Sequence, residues 1–287
     1  MTSPRVSRDL SHMPMHVQMA RVSAGSDVAT ATATAFLWDR GGEHYLVSNV
    51  HNLAGWDFLR SRAMSLSGAL PTHIRFPVEL SRRAPNGLID SRRRTLSKPL
   101  QDTDGRHNWL VHPQHGSQVD VAVLYLGEIS TRLVYPDLHT QGYSLGTKPV
   151  NTIPSWVDFE VDAGDDAYVI GYPRGLHGGF NYPIWKRASV ASEPGLTIDG
   201  LPKILVDTAS REGMSGSPVV AVRRGLTTPR GGTRGSELIG QTETFLGVYS
   251  GRLTDEDQFG AQLAVVWHGY LIDEIIAGGV RGALPWE

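Results

Sequence analysis

Residues 213–218 read Gly213-Met214-Ser215-Gly216-Ser217-Pro218. A serine set between glycines before a proline is a tight turn that exposes a hydroxyl, and two other stretches give that hydroxyl a chemical context. Tyr45-Leu46-Val47-Ser48-Asn49-Val50-His51-Asn52-Leu53 is an apolar, strand-like run that ends near a histidine. Gln118-Val119-Asp120-Val121-Ala122-Val123-Leu124-Tyr125-Leu126 is a second such run that opens near an aspartate. Taken singly, each block has an ordinary structural explanation: a turn serine, a core histidine, a polar strand edge. Taken together they supply a base, a carboxylate and a nucleophile in the order His51, Asp120, Ser215, about 70 and 95 residues apart. This is one of three unrelated chain orders in which the same catalytic geometry occurs.

The three blocks resemble those of the chymotrypsin-like serine peptidases. Leu46-Val47-Ser48-Asn49-Val50-His51 is similar to Leu-Val-Thr-Ala-Ala-His, Asp120-Val121-Ala122-Val123-Leu124 to Asp-Ile-Ala-Leu-Leu, and Gly213 to Pro218 to Gly-Asp-Ser-Gly-Gly-Pro. The resemblance spans residues 15–277 through short patches. It implies an all-β fold of two six-stranded antiparallel β-barrels with a C-terminal α-helix. The α/β-hydrolase alternative fails on order, because histidine comes last there, and on Ser217, where that elbow has glycine.

The chemistry needs each residue type. A serine hydroxyl is a poor nucleophile at neutral pH and requires an adjacent base. His51, near-neutral at pH 7, can take the proton and return it to a leaving amine. Asp120 would fix the ring tautomer and stabilise the imidazolium. The N–H groups of Gly213 and Ser215 would form the oxyanion hole, with Gly213 leaving room for the substrate carbonyl.

The resemblance also implies a pocket and a mode of control. Ala209, six positions before the nucleophile, stands where trypsin-like enzymes have Asp, so cleavage after Arg or Lys is not expected. Ser210 lies beside it, and Ser250, Gly251 and Arg252 are expected on the substrate-binding wall. Arg252 leaves an acidic preference open, and a two-residue alignment shift would bring in Asp207. Met214 replaces the Asp that pairs with a freed N-terminal amine in zymogen-activated members, and no Ile-Val-Gly-Gly start is present. In this respect the chain resembles bacterial members such as the Htr-type and glutamyl-endopeptidase branches. The substrate class is a protein or peptide. The competing reading is a peptidase-fold binding module with negligible turnover.

Bulk properties narrow the setting. The chain has 287 residues, 40% hydrophobic and 20% charged, with net charge −2. That is long enough for a sizeable core and ordinary for a globular protein. The charge gives no case for nucleic acid or an acidic membrane as partner. No cysteine is present, and Met1 to Arg21 lacks the apolar core of a signal peptide, so a cytoplasmic setting is expected. A free endopeptidase inside a cell is hazardous, which points to a regulatory protein partner that gates it. His107, His112 and His115 match no common zinc spacing and read as a surface loop; neither a metal nor a cofactor is expected. Arg92-Arg93-Arg94 reads as a solvated loop, with a docking patch as the lesser alternative.

Along the chain, residues 1–14 read as a polar arm. Residues 15–140 read as the first barrel, with strands at Met15–Ala20, Ala29–Trp38, Tyr45–Val47, Ile74–Leu80 and Trp109–Val111. Residues 141–156 read as a linker and 157–263 as the second barrel, with strands at Ala167–Ile170, Ile204–Val206, Pro218–Val222 and Phe245–Ser250. Arg223 to Gln241 is glycine- and arginine-rich and reads as a long surface loop. From Ala264 to Ala277, Val265, Val266, Tyr270, Leu271, Ile275 and Ile276 recur at helical spacing before Gly278-Gly279, so 264–287 reads as a helix and tail.

Overall fold

The structure, a computed structural model, describes residues 9–23, 26–209, 212–252 and 262–287; the side chains of Phe180 and Arg252 are outside that description. Two β-structures follow one another along the chain. The first contains β1 (Pro14–Ser23), β2 (Ser26–Arg40), β3 (Glu43–Ser48), a short helix α1 (Val50–Ala54) and a small hairpin, β4 (Trp56–Asp57) and β5 (Arg62–Ala63). It continues with β6 (His73–Arg83), β7 (Ile89–Pro99), β8 (Trp109–Val111) and β9 (Ala122–Gly127), then α2 (Thr131–Val134), α3 (Pro136–Thr140) and β10 (Ser144–Leu145). The second contains β11 (Asp166–Gly171), β12 (Ile184–Val190), β13 (Lys203–Asp207), β14 (Pro218–Thr227), β15 (Leu238–Arg252) and β16 (Leu263–His268), followed by α4 (Leu271–Gly278) and β17 (Val280–Arg281).

The second structure is a closed antiparallel barrel in the order β11-β12-β13-β16-β15-β14. In the first, six strands run β8-β9-β3-β2-β1-β6, with β10 and β7 added on β6 and β17 on β8. Its seam between β6 and β8 is bridged at Leu100, whose N–H donates to the Thr72 carbonyl at 2.8 Å and whose carbonyl accepts from Asn108 N–H at 3.0 Å. Alternate residues of all six strands meet inside: Val17, Leu37, Leu46, Phe76, Trp109 and Leu124 share one buried cluster. This is the inward/outward alternation that a barrel imposes. The second barrel has its own interior, with Val169, Ala188, Ile204, Val219, Tyr249 and Val266. A third cluster lies between the two, where Phe36, Val47 and Val123 meet Ile170, Val220 and Trp267, and Leu271, Ile272 and Ile275 of α4 close over it.

Several expectations change. Residues 9–13 do not form part of a loose arm; Leu10 and Met13 are buried in the central cluster. The expected linker contributes β10, which pairs with β6, and Val150 and Ile153, which are buried between the barrels. Residues 264–268 are not helical; they belong to β16, the sixth strand of the second barrel, and α4 begins at Leu271. Ala264 and Val266 face the barrel interior while Val265 and Trp267 face the other barrel. A strand apolar on both faces has no period-2 signal and imitates a helix. The helix does stop as expected, with Gly279 in the left-handed conformation as its cap.

Arg223 to Gln241 is loop only over 228–237, since β14 and β15 pair out to Thr227 and Leu238. Arg92-Arg93-Arg94 lies in strand β7, not a loop. Among the described residues no helix is long and apolar enough to cross a membrane.

Candidate active site

Each proposed catalytic residue sits where a strand gives out at the boundary between barrels. β3 ends at Ser48, and His51 lies in the first turn of α1. Asp120 lies two residues before β9, which pairs with β3, so the ladder brings the two together. His51 Nδ1 stands 2.6 Å from Asp120 Oδ2, and His51 N–H donates to Asp120 Oδ1 at 3.1 Å. Asn49 at the helix entrance donates from Nδ2 to the Asp120 carbonyl at 2.5 Å. Thus carboxylate, backbone and ring are held in one register.

Electrostatics follow from this packing. Burial of the His51 ring opposes its charge and is the largest single influence on it. The adjacent Asp120 carboxylate, through charge and hydrogen bond, with a smaller contribution from Asp57, outweighs burial and raises the imidazole above its ordinary value of 6.5.

Ser215 lies between β13 and β14, on the second barrel. Its loop is fixed on both sides. Gly216 N–H donates to the Tyr249 carbonyl and Tyr249 N–H to the Ser217 carbonyl, each at 2.9 Å. Met214 is buried among the interior residues of the second barrel. From the first barrel, Thr34 N–H donates to the Ser215 carbonyl at 3.0 Å, and Asn52 Nδ2 donates to the same oxygen at 3.4 Å. Gly216 (φ +83°) tolerates no side chain, because a Cβ would come within 2.1 Å of the Thr34 carbonyl oxygen.

The structure brings the Ser215 loop and the His51–Asp120 pair to one seam. Ser250 Oγ donates to Asp120 Oδ2 at 2.5 Å, and the next residue, Gly251, is so close to Ser215 that a Cβ there would lie 3.8 Å from Ser215 Oγ. Among the described residues Ser215 Oγ makes no hydrogen bond, His51 included, and the N–H groups of Gly213 and Ser215 meet no acceptor. Catalytic hydrogen bonds are often long before substrate arrives.

The pocket residues are only partly placed. Ala209 is half-buried just beyond β13, and Asp207 is exposed at the end of that strand, opposite Ser189 and Leu263. Ser210 lies outside the described residues. Arg252 ends β15, opposite Ala264. The Ser250 hydroxyl is turned to Asp120; the expected wall contact concerns its backbone.

Among the described residues no group of three or more acidic or histidine side chains could hold a metal ion. The three expected surface histidines are not a surface loop: His107 and His112 are buried, the former pairing with Glu287 and the latter with Glu274 while stacking on His115. The arginine run is engaged within the chain. Arg92 donates to Tyr143 Oη, Arg93 to the Asn181 carbonyl and Arg94 to the Arg93 carbonyl. Sequence reasoning missed Thr34, Ser48 and Asn52, whose roles exist only through tertiary partners. Ser250 is expected from the sequence through its backbone; the contact of its hydroxyl with Asp120 is what the structure adds.

No protein-family model and no curated protein matches this chain. Among solved structures, the inactive form of a serine-to-alanine variant of Rv3671c from M. tuberculosis H37Rv aligns over 96% of this chain and 94% of its own, at 15% identity and a TM-score of 0.39. A likeness that loose carries no argument about this site. The architecture is nonetheless all-β, with a closed six-stranded antiparallel barrel and a C-terminal helix, as a chymotrypsin-like fold requires.

Proposed function

We propose that the chain is a serine endopeptidase that works through an acyl-enzyme. The observation that supports it most is one oxygen, Asp120 Oδ2, approached both by His51 Nδ1 and by the Ser250 hydroxyl, one residue from the Gly251 backbone that borders Ser215. In this reading Ser215 Oγ attacks a peptide carbonyl while His51 Nε2 takes its proton. The oxyanion receives hydrogen bonds from Gly213 and Ser215 N–H. The imidazolium, steadied by Asp120, then protonates the departing amine, and water repeats the sequence to free the acid. Ala209, with Asp207 at an exposed strand end, supports a neutral primary pocket and cleavage after small or apolar residues.

The test is hydrolysis of a peptide library and labelling of the intact chain by a fluorophosphonate, with Ser215→Ala alongside. The reading expects label on Ser215, cleavage away from Arg and Lys, and neither in the alanine variant. A Ser215→Ala protein that cleaves at the original rate would refute it.

One observation favours a second reading, a peptidase-fold binding module or an enzyme gated by a protein partner: the Ser215 hydroxyl is not hydrogen-bonded to His51. Absence of labelling in a folded wild-type chain supports the binding module. Vigorous cleavage of unfolded protein by the isolated chain argues against gating.

A further inference from the structure

We propose that Thr34, on strand β2 of the first barrel, is a positioning residue for the oxyanion hole of the second, its hydroxyl setting the direction of Gly213 N–H. The inference rests on the peptidase reading and adds a component to it. In a planar trans peptide the N–H points opposite to the carbonyl, so a held carbonyl aims its N–H. The peptide that carries Gly213 N–H has the Glu212 carbonyl at its other end, and that oxygen accepts from Arg174 N–H at 2.7 Å. The next peptide carries the Gly213 carbonyl, which accepts from Thr34 Oγ1 at 2.8 Å. Both peptides flanking the Gly213 Cα are therefore pinned by their oxygens.

The same hydroxyl also governs the other pin. Thr34 Oγ1 accepts from Tyr172 N–H at 3.2 Å, and Tyr172 opens the turn Tyr172-Pro173-Arg174-Gly175 that presents Arg174 N–H. A hydroxyl has one proton to give and lone pairs to receive; here the proton goes to the nucleophile loop and a lone pair to the turn that clamps it. Both clamped residues have positive φ, +84° at Gly213 and +51° at Arg174, conformations that a surrounding structure must hold in place. Thr34 is fully buried, and its carbonyl is fixed by the Ser48 hydroxyl at 2.9 Å. Gly171 completes the fit, because a Cβ there would lie 2.8 Å from Thr34 Oγ1.

The experiment compares wild type, Thr34→Val and Thr34→Ser, with kcat and KM for a peptide substrate, the rate of fluorophosphonate labelling, and thermal unfolding. Valine keeps shape, branching and the N–H to Ser215 but removes the hydroxyl. The expected result is a fall in kcat of roughly 10- to 100-fold at unchanged KM, a parallel loss of labelling rate, and recovery to within about threefold in Thr34→Ser. If the valine variant does not fold, Thr34→Ala carries the same comparison per folded molecule. A hydroxyl-free variant with wild-type kcat, or a loss in KM alone, overturns the proposal while leaving the peptidase reading intact. A folded wild-type chain that neither cleaves nor labels removes the peptidase reading and this inference with it.

Discussion

The hydroxyl of Ser250 and the carboxylate of Asp120 meet at 2.5 Å across the boundary between the two barrels, on the oxygen that His51 Nδ1 approaches at 2.6 Å. The second barrel thus helps to orient a carboxylate rooted in the first. Asp120→Asn presents an amide to both neighbours and favours the wrong histidine tautomer. We expect a loss on the order of 10⁴-fold in kcat. Ser250→Ala removes one hydrogen bond to a charged group, worth about 1.5–3 kcal/mol, and should cost roughly tenfold. Steady-state kinetics on the two variants checks the order; equal losses would mean that Ser250 does more than orient Asp120.

The raised His51 pKa has a kinetic and a thermodynamic consequence. Only the neutral ring can accept the Ser215 proton, so kcat/KM should climb with pH along a limb whose midpoint lies above 6.5. For stability the sign is opposite. Because the folded value exceeds the unfolded one, this residue's contribution is complete below about 6.5 and fades as pH rises through the folded value. Asp57→Asn removes a charge that favours the imidazolium and leaves Arg60, which opposes it, unbalanced. Its activity limb should shift to lower pH, measurable as a displaced kcat/KM profile; an unmoved limb would discount Asp57.

Gly216 tests how closely the barrels approach behind Ser215. Alanine there combines a left-handed φ with a Cβ 2.1 Å from the Thr34 carbonyl oxygen and 2.4 Å from Ser48 Oγ. Backbone on one side and a buried, hydrogen-bonded hydroxyl on the other leave nothing flexible to yield. Gly216→Ala should lose about 4 kcal/mol or more, or fail to fold. Thermal and chemical unfolding report it, and a near-normal melting temperature would contradict the packing.

The convergence of the three candidate blocks on one seam was legible because each is short, local and chemically constrained, so residue type alone suggests a role. The barrel strands with one buried face, such as β1 and β6, were legible for the same reason. β7 was not: it is an edge strand that pairs only with β6 and buries no residue, so its polar sequence shows no alternation. β16 failed for the opposite reason, being wedged between two cores. Thr34 and Asn52 were invisible because a buried threonine or asparagine acquires its meaning only from the loop that folds onto it.

Met214, the residue before the proposed nucleophile, stands where an amine-pairing Asp would be in the resemblance, and its burial is testable as stability. The side chain fills the interior of the second barrel beside Val219, Leu246 and Tyr249. Met214→Asp would insert a carboxylate into an apolar core in which the described residues offer no cation. Its charged form is heavily penalised there, and its pKa must rise for the fold to survive. We expect a loss of several kcal/mol at pH 7 that shrinks as pH falls through that raised pKa, because protonation then favours the folded state. Met214→Leu conserves volume and should cost less than about 1.5 kcal/mol. Urea unfolding of both variants at pH 5 and pH 8 decides the matter. An aspartate variant as stable as the leucine one at both would place residue 214 at the surface and remove the hydrophobic anchor from behind Ser215.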